Sequence, residues 1–291
     1  MDGKPVKAIL FDLDNTLIDT SLAGEEAIQK TRELLKTTLG VDDDTTSRIC
    51  GKFKEKLFLE SFDPSEGKSI DDVRVGHWKQ SIHETVGSSP GGSLPAQCYY
   101  LWKNSRLERL SLSPPTCSLL KQLQGRYKLL LLTNGETQTQ REKVEAVRCE
   151  EFFDAVVIGG EQEEQKPSRS IFRLCFDMLG VEAQDCIMVG DSLDTDIQGG
   201  LNARVRATVW ISKSGEAVPD GSVKPDYTIP TVLDLPHVLT QLHEGPCDAA
   251  SVPVFRTKPE PAECHGASNR YRPTYRPEDS RVLKWSSPVG L

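Results

Sequence analysis

VKAILFDLDNT, residues 6–16, is the stretch on which the fold turns. Val6–Phe11 is short, β-branched and aliphatic without polar alternation, as suits a strand buried on both faces of a parallel sheet. Two carboxylates, Asp12 and Asp14, follow it at once. In open α/β sheets, ligands gather at the carboxyl ends of the strands. Residues i and i+2 of a strand point the same way, so both carboxylates are expected to converge on one place, where they repel unless a cation or a proton intervenes. Taken alone, the fragment also fits an Asx-type turn with both carboxylates solvated.

Four further runs read like the first: Lys128–Thr133, Ala155–Gly159, Cys186–Gly190 and Ala207–Ile211. Helix-like stretches separate these four, and strands alternating with helices predict an α/β fold with a doubly wound parallel sheet. More than a hundred residues lie between the first and second runs, too many for one crossover. With 291 residues, the chain has room for two domains or one carrying a large insertion. The gap is read as a domain of four helices: Leu22–Leu39, Asp44–Phe62, Ser69–Val86 behind a Ser-x-x-Asp cap, and Leu94–Leu107. The expected division is 1–20 with 111–247 as the α/β core and 21–110 as the helical insertion, with Ser88–Gly92 a loop inside it. From 248 to 291 apolar periodicity is absent, and six prolines and two Tyr-Arg-Pro triplets predict a disordered tail. Its Tyr and Arg residues would also suit stacking on nucleic acid or a docking motif.

Three more loops carry chemical groups, each at the carboxyl end of an expected strand. Thr133-Asn134-Gly135 offers a hydroxyl and backbone N–H groups suited to phosphate oxygens, although Asn-Gly is also an ordinary turn. Lys166-Pro167 precedes a helix starting near Ser168, which would hold the lysine toward the sheet edge; a lone Lys-Pro is otherwise a surface lysine. Gly190-Asp191-Ser192-Leu193-Asp194-Thr195-Asp196 adds carboxylates that would complete a magnesium site with Asp12, or cap the next helix.

Composition removes several function classes. The longest aliphatic run, Leu129–Leu132, is far short of the roughly 18 residues that span a bilayer. Thirty-five Lys and Arg against forty-three Asp and Glu give a net charge of −8, the wrong sign for a chain whose main partner is nucleic acid. The eight cysteines show no CxxC spacing and read as reduced thiols. Without a secretory leader pattern at Met1–Asp14, a cytoplasmic protein is expected. The expected partner is a small molecule, phosphorylated or not, rather than nucleic acid or a membrane, and protein partners are left open.

In this order, Asp-x-Asp-x-Thr, strand-Thr-Asn-Gly, Lys-Pro and Gly-Asp-x-x-x-x-Asp resemble the haloacid dehalogenase superfamily of phosphohydrolases. That resemblance implies a Rossmannoid sheet and makes the 21–110 helices its cap. It implies Asp12 as nucleophile toward phosphorus, and Asp14 as the acid for the leaving oxygen and then the base for water. Mg2+ would be held by Asp12, the Asp14 backbone carbonyl and Asp191, with Lys166, Thr133 and Asn134 on the phosphoryl oxygens. Asp196 would orient its loop or stand behind the metal ligands. A dehalogenase needs neither Asp14 nor a metal, so Asp14 argues for phosphate; a non-catalytic scaffold is the remaining alternative. Trp78 in VGHWKQSI, QCYYLWKNSRL at 97–107, LLLLTNGETQTQREK at 129–143, GGEQEEQKP at 159–167 and the 189–215 segment narrow the likeness. They are similar to a branch that dephosphorylates sialic acid 9-phosphate, with other small phosphate esters as the alternative.

Such a substrate carries a carboxylate and hydroxyls beyond its phosphate, which forked cationic donors and a flat ring would complement. Arg74, His77 and Trp78 stand at i, i+3 and i+4 on the third inserted helix, and Arg106 on the fourth is expected to approach them. Equally, Trp78 suits a core, Arg74 a salt bridge and His77 a surface. If 248–291 adds no buried apolar surface, a chain ended at Cys247 keeps its turnover; a drop beyond about threefold in the truncated enzyme would show that the tail docks on the body.

Overall fold

A computed structural model describes residues 5–63, 65, 67–87, 91–215 and 217–244. The expected tail at 248–291 and residues 88–90 of the expected loop lie outside them. Six parallel strands form one sheet in the order β3-β2-β1-β4-β5-β6. They are β1 (Ala8–Phe11), β2 (Lys128–Thr133), β3 (Ala155–Ile158), β4 (Cys186–Gly190), β5 (Ala207–Ile211) and β6 (Tyr227–Ile229). β1, β4 and β5 are buried at every residue, which is why they read as unbroken apolar runs. β6 was not among the expected strands: it is three residues at the sheet edge, with only Ile229 buried.

The strand order reverses at β1, whose neighbours are β2 and β4, so Asp12 leaves the sheet at its switch point. One face of the sheet packs Phe11, Leu129, Leu131, Val189 and Val209 against α5 (Pro114–Gln124), α6 (Thr137–Val147) and α9 (Leu235–Glu244). The other packs Leu10, Leu130, Leu132 and Met188 against α7 (Arg169–Leu179). α8 (Gln198–Ala203) follows a π-turn at Leu193–Ile197.

Between β1 and β2 run α1 (Thr20–Leu39), α2 (Asp43–Phe58), α3 (Ile70–Val86) and α4 (Leu94–Arg109). Their ends follow capping chemistry. Asp19 and Asp42 accept backbone N–H groups at the starts of α1 and α2, and Ser69 with Asp72 makes a reciprocal capping box on α3. α2 ends four residues before the expected Phe62. These helices bury an aromatic core of their own, in which the Trp78 ring stacks on Phe53 at 4.0 Å and Trp102 meets Phe53 edge-on. Trp78 is 0% exposed. The expectation that Trp78 faces a ligand is therefore corrected: at the centre of a four-helix core its ring is covered on both faces.

Among the described residues no helix is long and apolar enough to cross a membrane. Cys50, Cys98, Cys149, Cys175 and Cys186 are buried as free thiols. Trp78→Ala should destabilise the protein by about 3–5 kcal/mol in urea unfolding. A higher KM with unchanged unfolding would instead return Trp78 to the binding surface.

Candidate active site

β1 delivers Asp12 with its backbone still in the ladder, Asp12 N–H donating to Val189 O at 2.9 Å. The carboxylate is gripped on both oxygens: Oδ1 accepts from Lys166 Nζ at 2.8 Å and Oδ2 from the Thr16 hydroxyl at 3.1 Å. Lys166 Nζ also donates to Leu132 O at 2.7 Å and lies 2.7 Å from Asp196 Oδ1, so one buried ammonium serves two carboxylates and a carbonyl. The lysine is held by its own backbone. Asn134 Nδ2 donates to Lys166 O at 2.9 Å, and Lys166 N–H donates to Asn134 Oδ1 at 3.0 Å.

The Asn134 amide thus spends its oxygen and one N–H on the Lys166 backbone, which leaves its second N–H and its own backbone for a phosphoryl oxygen. Thr133 is buried, and its hydroxyl oxygen accepts from Gln140 Nε2 at 2.5 Å.

The loop after β4 brings Asp191 and Asp196 to the same place. Trp210 Nε1 donates to Asp191 O at 2.8 Å, and Ser192 N–H donates to Asp196 Oδ2 at 3.0 Å. Gly190 is required here, because a Cβ on it would lie 2.2 Å from Asp196 Oδ2. Carboxylate oxygens of Asp12, Asp191 and Asp196 all lie within 4.8 Å of one another. Burial, reinforced by Asp196 and Asp14, raises Asp12 to about 7 against the pull of Lys166. Burial and then the charge of Asp12 raise Asp191 to about 6. Burial lowers the Lys166 ammonium, but Asp12 and Asp196 outweigh it and hold the group above its ordinary value. Three acids, Asp12 and Asp196 buried and Asp191 half-buried, against one cation leave a deficit of positive charge. Hard oxygen donors at this spacing suit Mg2+.

Asp14 stands apart from that cluster. β1 ends at Phe11, so strand alternation does not carry through to Asp14, and each carboxylate has its own lysine, Asp12 with Lys166 and Asp14 with Lys143. Asp14 Oδ2 accepts from Lys143 Nζ at 2.6 Å and from Gln140 Nε2 at 3.1 Å, while its Oδ1 is buried without a hydrogen-bond partner. Burial raises this carboxyl, but Lys143, Gln140 and Arg106 together hold it below its ordinary value. Gln140 and Lys143 did not stand out in the sequence. The signal was there: on α6 the buried positions 140, 143, 144 and 147 form one stripe, with polar residues where its first turn continues the valine seam.

Of the four expected substrate residues, Arg74 and Arg106 come together beside Thr139 in a narrow crevice, whereas Trp78 does not join them. Arg74 is committed: it donates to Glu60 at 2.8 Å from Nη2 and 3.1 Å from Nε, and to Thr139 Oγ1 at 2.7 Å from Nη1. His77 Nε2 lies 3.2 Å from the same Glu60, and burial pushes the imidazole below its ordinary value despite that carboxylate. Lys103 joins Asp71 of α3 to Glu142 of α6, at 2.9 and 2.7 Å.

Known proteins share both sequence and fold. Residues 6–204 match the haloacid dehalogenase-like hydrolase family. The chain is 47% identical over 237 residues to an N-acylneuraminate-9-phosphatase of Mus musculus, and 46% identical over 237 residues to that of Homo sapiens; each alignment covers 81% of this chain and 95% of the relative. A pyrimidine 5'-nucleotidase of Escherichia coli is 31% identical over 173 residues, 59% of this chain and 74% of that one. Among solved structures, the putative hydrolase YfnB of Bacillus subtilis, bound to magnesium, superposes with a TM-score of 0.60 at 22% identity, covering 81% of this chain and 99% of that one. The L-2-haloacid dehalogenase of Xanthobacter autotrophicus gives 0.55 at 20% identity, over 81% and 98%. Sheet order, the acidic loops at the carboxyl ends of β1 and β4, and an aligned span of most of the chain agree: this protein belongs to the haloacid dehalogenase-like hydrolases and is a phosphatase of that family.

Proposed function

We propose that the protein is a magnesium-dependent phosphomonoesterase that converts N-acylneuraminate 9-phosphate to free N-acylneuraminate and phosphate through an aspartyl-phosphate. The observation that carries the reading is the pair of carboxylates Asp12 and Asp14, each locked to its own lysine. Each lysine fixes one carboxylate in place, so nucleophile and proton carrier are held as two separate groups. The relatives named above supply the substrate class. The reading sets the enzyme in sialic acid biosynthesis, in the cytoplasm.

In the first half-reaction an Asp12 carboxylate oxygen attacks phosphorus, the bond from phosphorus to the sugar oxygen breaks, and Asp14 gives its proton to that oxygen. In the second, Asp14 takes a proton from water as the water oxygen attacks the same phosphorus, releasing phosphate and restoring Asp12. Thr16 and Lys166 fix the Asp12 carboxylate, and Lys143 with Gln140 fix Asp14 Oδ2. Asp14 Oδ1, free of partners, is the oxygen that carries the proton, and the negative charge of a bound phosphoryl group favours the protonated form against the pull of Lys143. Thr133, Lys166 and the backbone of Asn134 hold phosphoryl oxygens. Asp12 and Asp191 with the Asp14 backbone carbonyl would hold Mg2+, which when bound supplies positive charge to the phosphoryl oxygens. Asp196 stays with Lys166 as its counter-ion.

The domain division belongs to this reading: 1–20 with 111–247 as catalytic core, 21–110 as cap, and 248–291 as an appended tail. The separate aromatic core of α1–α4 supports the cap.

Asp12→Asn should lower Mg2+-dependent turnover of N-acetylneuraminate 9-phosphate by several orders of magnitude, and no phosphoenzyme should be trapped on denaturing gels. A variant retaining a tenth of wild-type turnover would rule out covalent catalysis by Asp12. A thermal melt separates the metal site from the chemistry. Mg2+ should raise the wild-type Tm. Asp191→Asn should lose that rise, yet melt above the wild type in chelator, because it removes one member of a repelling acidic cluster. A Tm insensitive to Mg2+ in the wild type would place the metal elsewhere.

A further inference from the structure

Four cations crowd the space where α3 and α4 face α6, and three of them have partners. Arg74 is committed to Glu60 and Thr139, Lys103 to Asp71 and Glu142, and Lys143 to Asp14. Arg106 is different. Its guanidinium makes no hydrogen bond or ion pair with any described residue, and it stacks over the Trp102 ring, with the guanidinium carbon 4.6 Å from the ring centroid.

That contact is a platform. Trp102 is buried and braced edge-on by Phe53, so the ring is fixed by the aromatic core of the helices. Stacking uses the flat face of the guanidinium and leaves its fork of N–H donors unspent. Burial pulls Arg106 down from its ordinary value, with Asp14 as the strongest influence against that pull. A desolvated cation without a hydrogen-bonding partner is costly, and a planar anion brought by a ligand would satisfy it. The other groups lining the crevice do not compete for that anion. Glu142 is neutralised by Lys103 at 2.7 Å, and Arg74, turned to Glu60 and Thr139, adds positive field.

We propose that Arg106 determines specificity by taking a carboxylate on the leaving group of the substrate, while the phosphoryl group lies at Asp12. The inference rests on the phosphatase reading above and deepens it. The planar fork matches the two oxygens of a carboxylate, and the sugar acid of the proposed substrate carries one. Arg74 then acts indirectly, by holding Thr139 in the wall of the crevice.

The test measures kcat/KM with Mg2+ on N-acetylneuraminate 9-phosphate and on p-nitrophenyl phosphate, which has no carboxylate. Arg106→Ala should lower the ratio of the first to the second by about thirtyfold or more, mainly through KM. Arg106→Lys, which keeps the charge and loses the fork, should fall between wild type and Arg106→Ala. Should Arg106→Ala fail to melt cooperatively, Arg106→Met, whose stem still covers Trp102, serves in its place with the same expected change in ratio. An unchanged ratio with a working wild-type enzyme would overturn the inference alone. A wild-type enzyme inactive on the sialic acid ester but active on p-nitrophenyl phosphate would overturn the substrate reading, and this inference with it.

Discussion

One buried ammonium makes the rest of the site possible. Asp12 and Asp196 lie under the carboxyl ends of the strands, where water is excluded and two carboxylates close together are mutually destabilising. Lys166 Nζ joins both, and Leu132 O takes a further donor. Remove it, and two buried acids lose their only protein cation among the contacts described. The second lock, from Asn134 to the Lys166 backbone, shows where the constraint is enforced: the loop after β2 fixes the loop after β3, which in turn fixes the charge at the end of β1.

The two lysines divide the field. Lys166 serves a cluster still short of positive charge, which is what makes it receptive to a divalent cation. Lys143 serves a single carboxylate outside the cluster and depresses it. Two residues apart in the chain, Asp12 and Asp14 thus stand in opposite electrostatic conditions, one raised and one lowered. A cation held by Asp12 favours its carboxylate, the form a nucleophile needs, whereas Asp14 gains its proton only against Lys143, with the negative charge of a phosphoryl group favouring it.

Much of this was legible in the sequence, for identifiable reasons. β1, β4 and β5 are buried at every residue, β2 at all but its first and β3 over its second half, so their apolar runs were unbroken; β6, short and half covered, left no such run. The helices were bounded by their caps, Ser69 with Asp72 above all. The acidic loops could be found because they follow strands. What could not be read were pairings across the chain. Lys166 meets Asp12 across 154 positions, and Lys143 meets Asp14 across 129. Lys143 reads locally as one more charge on a polar helix, and Trp78 as an aromatic equally suited to a core or a pocket. Burial decided both, and burial belongs to the assembled fold.

α6 answers to two neighbours at once. Gln140 and Lys143 hold the carboxylate at Asp14, while Thr139 and Glu142, on the same two turns, meet Arg74 and Lys103 of the inserted helices. The four positions alternate in sequence between two partners, so their allegiance is set by angular phase. One residue inserted between Thr139 and Lys143 would rotate everything beyond it by about 100° and deprive both partners together. Segments of the chain that differ in length among relatives should therefore lie outside 139–143, where helical phase, more than any single side chain, is the inherited quantity.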